Sequence, residues 1–500
     1  MGLAIAAGVP VLVLVSMGPV AGLAGAPSVA VWAASAVMGF FMALAFAELA
    51  WSLPSQTGGI GVLAAQVLAP RSRVLALVSQ WSYWFGWSPA LAINGILAGS
   101  YLQGTLLPRA PSWTAVGFAT AILAGSVGVN HFGMQHSGRF QALLAACVLI
   151  AVALLTAGAL LRGQFDAGRL LPFAPPGGWA SGRGLVALAG GLFIAGWSAY
   201  GAELALTYGT EYRNGARDAV KALIAIAVAS VAAYTVVPFL LIGVLGTARI
   251  QDDPAVALTP LAQHATGGAA AVVVALLIVA LLLGLNMVTI GSSRTLYQMA
   301  RNGDAWPFLG RLNRHGVPSN ALRFDMAVNV LLLLLILALN HGRASGAPIA
   351  LLAAANVGYF VSICIAVVAA WMNHRDPNAR HRPLRIRDGL MRAALTLAVV
   401  NLGLLACAGF AWGWPNLALG VVVLTGVIVV FRQGGRQAPV RLGPRSQPTC
   451  MAWGARHMTA RLEDLMALQP AVEVSPNHGE ASSGLGRDNR ESRATGVDRP

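Results

Sequence analysis

The chain has 500 residues, 57% of them hydrophobic and 10% charged, with a mean hydropathy of +0.68. Soluble proteins carry charge on about a quarter of their residues, so this composition excludes an ordinary soluble domain and points to a helical bundle in a bilayer. The formal net charge of +15 does not indicate a nucleic-acid partner, because most of the basic residues fall in short connections between apolar runs, where they report orientation.

A helix needs about 20 apolar residues to cross a hydrocarbon core roughly 30 Å thick, and about twelve such runs are read along this chain. In order they are Leu3–Ala24, Val29–Leu53, Val74–Leu102, Trp113–Val129, Phe140–Leu161, Leu185–Leu206, Ala219–Val244, Ala269–Ile290, Phe324–Leu339, Pro348–Met372, Met391–Trp412 and Leu417–Phe431. Leu3–Ala24 is read as a true span and not a cleaved signal, since no basic residue precedes it and it is longer than a signal's apolar region. Its start next to Met1 points to a cytoplasmic lead-in missing from the chain. The last two spans are joined by a tight Gly413-Trp414-Pro415 turn. Connections after even-numbered spans hold Arg71, Arg73, Arg139, Arg213, Arg217, Lys221, Arg294, Arg301 and a run of arginines from Arg375 to Arg392. The others hold far fewer, so the positive-inside rule expects both termini in the cytoplasm. Anionic lipid head groups are a secondary partner for this basic excess. The sequence thus divides into a membrane-spanning domain, 1–432, and a polar tail, 433–500, expected to be disordered.

No phosphate-binding loop, zinc-protease, nucleophile-elbow or Cys-x-x-Cys signature occurs, so neither an enzyme nor a bound cofactor is expected. Cys147, Cys364 and Cys407 lie in apolar runs and Cys450 in the tail, which gives no disulfide framework and no metal spacing. What stands out is polarity inside spans, where an acidic residue at mid-helix costs about 2.5–3.5 kcal/mol on insertion scales. Glu48 falls near the end of the second span, where a structural hydrogen bond to the following loop is the favoured reading. Glu203 lies in the sixth span amid Gly196, Ser198, Gly201 and Gly209. That glycine cluster marks either a close-packing face or a helix that breaks at a site. Gly8-Val9-Pro10 and Gly18-Pro19 punctuate the first span in the same way. The tryptophans and tyrosines of Trp81, Tyr83, Trp84 and Trp87 read as an interface belt, with packing against the first helix as the alternative.

Four segments carry a resemblance: AFAELAWSLPSQTGG, SQWSYWFGWSPALAI, EYRNGARDAVKA and, above all, GSSRTLYQMARNGDAWPFLGRLNRHGVPSNAL after the eighth span. Together they resemble the amino acid–polyamine–organocation permeases over roughly residues 10 to 432. The resemblance implies an all-helical polytopic membrane protein with a leucine-transporter-like five-plus-five inverted repeat and two C-terminal helices. It also implies alternating access to a central site. The family's Gly-Phe-Glu element falls on Gly201-Ala202-Glu203, with Trp197, Ser198 and Tyr200 just before it and an alanine replacing the usual aromatic. Its Gly-Ser-Gly element falls on Pro10, Val11 and Leu12, where the glycines are absent. Asn94 and Asn286 are further cavity candidates, with interhelical hydrogen bonding as the equal alternative. The chain's single lysine, Lys221, lies in a loop, which excludes the fifth-span lysine mechanism of some members. Thr289, Ser292 and Ser293 are the candidate oxygens for a coupling ion, with helix-packing hydrogen bonds as the alternative.

The implied function is secondary active transport of an amino acid or related amine across a bacterial cytoplasmic membrane, coupled to Na+ or H+ or working by exchange. The competing reading is a non-transporting receptor or scaffold acting through its tail. Trp197 and Tyr200 are expected to serve substrate binding without being needed for packing.

Overall fold

The computed structural model describes residues 13–53, 58–132, 138–211, 214–252, 258–339, 347–377 and 384–434. These all lie within one compact unit, Met1–Gly443. Pro10, Val11, Leu12 and the tail from residue 435 lie outside the described residues.

Every described element is helical, as long apolar runs require when lipid offers no partner for backbone N–H and C=O groups. In chain order they are α1 (Val13–Ala24), α2 (Ser28–Ser52), α3 (Gly59–Leu68), α4 (Arg73–Trp87), α5 (Ala90–Leu106), α6 (Trp113–His131), α7 (Gly138–Leu161) and α8 (Gly182–Ala199). After a 3-10 segment, Gly201–Glu211, come α9 (Ala216–Leu245), the short α10 (Thr247–Asp252) and α11 (Leu258–Thr266), then α12 (Ala270–Arg301), α13 (Ser319–Leu339), α14 (Ala347–His374), α15 (Asp388–Trp412) and α16 (Trp414–Gly434). Among the described residues seven helical stretches are long and apolar enough to cross a membrane: Ser28–Ser52, Trp113–His131, Gly182–Thr207, Ala216–Leu245, Thr259–Arg301, Pro348–His374 and Asp388–Trp412. The chain is therefore a multi-pass membrane protein, all-helical among the described residues.

Three departures from the sequence reading have local causes. The third span is two helices, because Pro89 cannot donate to the ladder and the chain bends at Ser88-Pro89 between α4 and α5. Gly18-Pro19 does not break the first span, since α1 runs through Pro19. The ten residues of α3 form a buried helix too short to register as a span. The sixth span does break: α8 ends at Ala199, and beyond Tyr200 the eleven residues Gly201–Glu211 are wound as a 3-10 helix. Such runs seldom exceed three or four residues, so this one marks a constrained stretch. Gly413, at φ 85°, makes the expected turn between α15 and α16.

Two helix crossings position the centre of the bundle. On α4 and α14, Gly86 and Gly358 face each other: a Cβ on Gly86 would stand 2.8 Å from Tyr359 Cα, and one on Gly358 would stand 2.8 Å from Ser82 O. On α2, a Cβ on Gly39 would meet Ala199 O at 2.7 Å, where α8 ends. Small residues let backbones approach this closely, as helix association in lipid favours.

Candidate functional site

Trp81, Tyr83, Trp84 and Trp87 are all buried, which replaces the expected interface belt with an interior role. One turn of α-helix separates residues i and i+4 on the same face, so α4 presents two adjacent donor pairs, Tyr83 with Trp87 and Trp84 with Ser88. Each pair closes on one carboxylate.

The first carboxylate is Glu203, 0% exposed at the start of the 3-10 segment. Tyr83 donates its hydroxyl to Glu203 Oε2 at 2.6 Å. Oε1 receives Trp87 Nε1–H at 2.9 Å and the hydroxyl of Tyr359 at 3.1 Å. The Gly86–Gly358 approach brings Tyr359 within reach. Trp197 completes the enclosure: its Nε1–H donates to Gly86 O at 2.8 Å and its ring lies 5.0 Å from that of Trp87. Trp87 meets Tyr359 edge-on, also at 5.0 Å. Glu203 is thus a carboxylate with three donors and four aromatic rings around it, and among the described residues no basic side chain pairs with it.

The second carboxylate, Asp325, is also 0% exposed and sits in the first two turns of α13. Its Oδ1 accepts from Trp84 Nε1 at 3.1 Å and from the Ser88 hydroxyl, and its Oδ2 lies against Ser292 Oγ. Sequence reasoning passed over this residue. The signal was present, an aspartate in an apolar run, but it stood at the head of a span flanked by arginines, where acidic residues cost little.

The remaining sequence candidates separate. Ser198 Oγ pairs with Ser16 Oγ at 3.1 Å, tying α8 to α1, while its carbonyl accepts from Tyr234 at 2.9 Å. Tyr200 donates to Asn401 Oδ1 at 3.0 Å. Trp197 and Tyr200 are therefore part of the packed interior, contrary to the expectation that packing does not need them. Gly201 and Ala202 are buried beside Glu203 along the 3-10 segment. Asn94 is buried on α5, where its Nδ2 donates to Ala90 O and its Oδ1 has no partner. Asn286 Oδ1 accepts from Asn130 at 2.8 Å and its Nδ2 is unpartnered. Thr289, Ser292 and Ser293 each reach a carbonyl of their own helix: Leu285, Val288 and Ile290 respectively. Among the described residues Glu48 bonds to distant chain: its two oxygens lie 2.9 and 3.1 Å from His374 Nδ1, and Oε2 accepts the Ile386 N–H at 3.0 Å.

Residues 3–434 match the amino acid permease family. The chain belongs to this family. Among similar curated proteins, the lysine-specific permease LysP of Escherichia coli is 25% identical over 261 residues, 48% of this chain and 51% of that protein. A probable threonine/serine transporter of Bacillus subtilis, YbxG, is 25% identical over 59% of this chain and 63% of its own length. The uncharacterized transporter Mb2022c of Mycobacterium bovis is 26% identical over 82% of this chain and 84% of its own length. This chain therefore spans about half to two thirds of the first two of these relatives.

Proposed function

We propose that this permease is a secondary active carrier that moves an amino acid or related amine across a bacterial cytoplasmic membrane by alternating access, with Glu203 receiving the substrate's ammonium group. One observation carries the reading: a wholly buried carboxylate, without a cationic partner among the described residues, stands in a box of aromatic rings where α8 gives way to a 3-10 helix. An uncompensated buried anion is costly, and a cation placed against it and over aromatic faces relieves that cost. Non-helical backbone at membrane depth is tolerated where it lines a site, which suits an interrupted sixth span.

The same reading keeps twelve spans with a five-plus-five repeat in residues 1–432, both termini in the cytoplasm, and a polar tail at 433–500 outside the carrier. Because Glu203 is sealed by Tyr83, Trp87 and Tyr359, an ammonium reaches it in a conformation where the 3-10 segment parts from α4 or α14. Substrate shifts that equilibrium by binding one conformation more tightly than the other. Trp197, Ser198, Tyr200, Gly201 and Ala202 hold the wall on the α8 side. Pro10, Val11 and Leu12, with Asn94 and Asn286, are assigned to the same cavity by resemblance, and a proton or sodium gradient or exchange sets direction. The test is counterflow of labelled amino acids and amines into liposomes holding the purified chain. Saturable exchange of one substrate class is expected, and folded protein that exchanges nothing across the panel overturns the reading.

A further inference from the structure

Where α14 ends and α15 begins, the ends of two apolar spans border a cavity of about 380 Å³. Its described lining is mainly cationic: Arg375 just past α14, Arg385 before α15 and Arg392 at the start of α15, with Asp388 as its one acid. Trp371 and Met391 give it an apolar side. Asp376, the neighbour of Arg375, is not part of this lining.

Behind Asp388 the wall is pinned. Glu48 on α2 and His374 at the end of α14 are 3% and 5% exposed, and Glu48 Oε1 lies 2.9 Å from His374 Nδ1. The other ring nitrogen, Nε2, lies 2.9 Å from Asp388 Oδ1, while Glu48 Oε2 accepts the Ile386 N–H at 3.0 Å. Asn373 adds a further tie, donating to Ser52 Oγ at 3.0 Å. The end of α14, the start of α15 and the end of α2 are thus held together without a ligand.

Positive charge is what this arrangement leaves over. Asp388 Oδ1, already against His374, also stands 3.6 Å from Arg385 Nη2. Arg375 lies over the Trp371 ring, 4.5 Å from its centroid. Among the described residues neither Arg375 nor Arg392 forms an ion pair within 4 Å. Three guanidiniums therefore meet two carboxylates, Asp388 and Glu48. The excess is one positive charge with His374 neutral and two with His374 as imidazolium, and the positive end of the α15 dipole adds to it. Like charges gathered in one cavity repel until an anion joins them. Stacking on Trp371 occupies the face of the Arg375 guanidinium and leaves its N–H edges for an acceptor, and paired N–H donors of this kind match phosphate oxygens. Span ends lie at the depth of lipid phosphates.

We propose that this cavity binds a phosphate group, carried by an anionic phospholipid or free in solution, and that the phosphate bridges Arg375 after α14 to Arg385 and Arg392 at the start of α15. A topological bias in arginine explains their abundance at span ends. It does not explain why three of them share one cavity, with one guanidinium stacked and unpaired. The site stands independently of the transport reading.

Native mass spectrometry of the full chain in detergent, titrated with phosphatidylglycerol or with phosphatidylcholine, tests the site. Saturable retention of phosphatidylglycerol is expected, and Arg375→Gln with Arg392→Gln should weaken it about 30-fold. Arg311→Gln with Arg323→Gln removes the same charge from exposed positions outside the cavity and should stay within about twofold of wild type. Equal losses in the two pairs would reduce the effect to overall charge and overturn the proposal. Should the first pair misfold, Asp388→Asn reports instead. It removes the one acid of the lining while its Oδ1 can still accept from His374, so phosphatidylglycerol should bind about fivefold tighter. Unchanged or weaker binding in that variant overturns the proposal. Inorganic phosphate, compared with chloride at equal ionic strength, decides the source. A rise in the unfolding midpoint of the lipid-free chain, lost in Arg375→Gln with Arg392→Gln, assigns the site to the free anion. Preference for phosphatidylglycerol with no response to phosphate assigns it to the lipid. Equal retention of the two lipids together with no response to phosphate overturns the proposal.

Discussion

Glu203 and Asp325 are both wholly buried carboxylates gripped from one helix, and they differ in what completes them. Around Glu203 all three neighbours are donors, so its oxygens are arranged as acceptors and the missing partner is a positive charge. Around Asp325 two donors meet Oδ1 and the Ser292 hydroxyl meets Oδ2, so the same number of donors comes from one indole and two serines. Residues one step apart on α4 therefore serve one acid enclosed by aromatic donors and one held mainly by serine hydroxyls. Burial alone does not assign a role to an intramembrane acid; the chemistry of the groups that enclose it does.

The largest effect that separates the two is expected from Glu203→Gln, which keeps shape and removes charge. If an ammonium sits against Glu203, removing its counter-charge costs about 3 kcal/mol, on the order of 100-fold in apparent affinity. The half-saturation concentration in counterflow reads this directly. An equal loss in Asp325→Asn breaks the distinction between the sites.

Next in size is Gly358→Ala. Its Cβ would meet the backbone, at 2.8 Å from Ser82 O and 3.3 Å from Gly86 N, so α4 and α14 must separate. Overpacking of this kind costs about 1–3 kcal/mol, and it moves Tyr359 away from Glu203 while leaving the Asp325 cluster in place. Both lowered thermal stability and weakened substrate saturation are expected. Gly104→Ala, with nothing within 4 Å of the new methyl, is the control and should leave both unchanged or slightly raise stability.

A matched pair of substitutions sharpens the comparison further. Trp87→Phe and Trp84→Phe each delete one indole N–H from the same helix with the same loss of ring volume. Hydrogen bonds to a charged acceptor are worth about 1.5–3 kcal/mol and to a neutral one about 1 kcal/mol. If Glu203 is ionised and Asp325 neutral, Trp87→Phe destabilises the folded chain by about 1 kcal/mol more than Trp84→Phe, read as a difference in thermal unfolding midpoint in detergent. Equal shifts would place both acids in the same charge state.

Apolar length made most of the fold legible. Ser28–Ser52, Trp113–His131, Ala216–Leu245 and Asp388–Trp412 lie within a few residues of the spans read from sequence, because an uncharged run admits one solution in lipid. Glu203 was legible too, since an acid among glycines in a span is conspicuous. Its partners were not. Tyr83 and Tyr359 lie 120 and 156 residues from Glu203, and nothing in a single sequence connects such distances. The tryptophans of α4 misled for a physical reason: indole suits a membrane interface and a buried donor equally well, and only the carboxylate facing it decides between them. His374, 326 residues from Glu48, was hidden in the same way.

The smallest effect comes from Asp304, an acid outside the membrane-spanning helices. Burial raises its carboxyl above its ordinary value of 3.8, with the hydrogen bond from Gln80 and the charge of Arg73 opposing. The folded chain then holds this proton more tightly than the unfolded chain does. Its contribution to stability is fully present below the ordinary carboxylate range and is lost as pH rises through the raised folded value, levelling off above it. Asp304→Asn cannot titrate, so the fall in unfolding midpoint across that window should flatten in the variant, as measured in detergent from acid to neutral pH. An identical slope would show that Arg73 and Gln80 cancel the burial entirely. In that case Asp304 releases its proton at the ordinary pH of a surface acid.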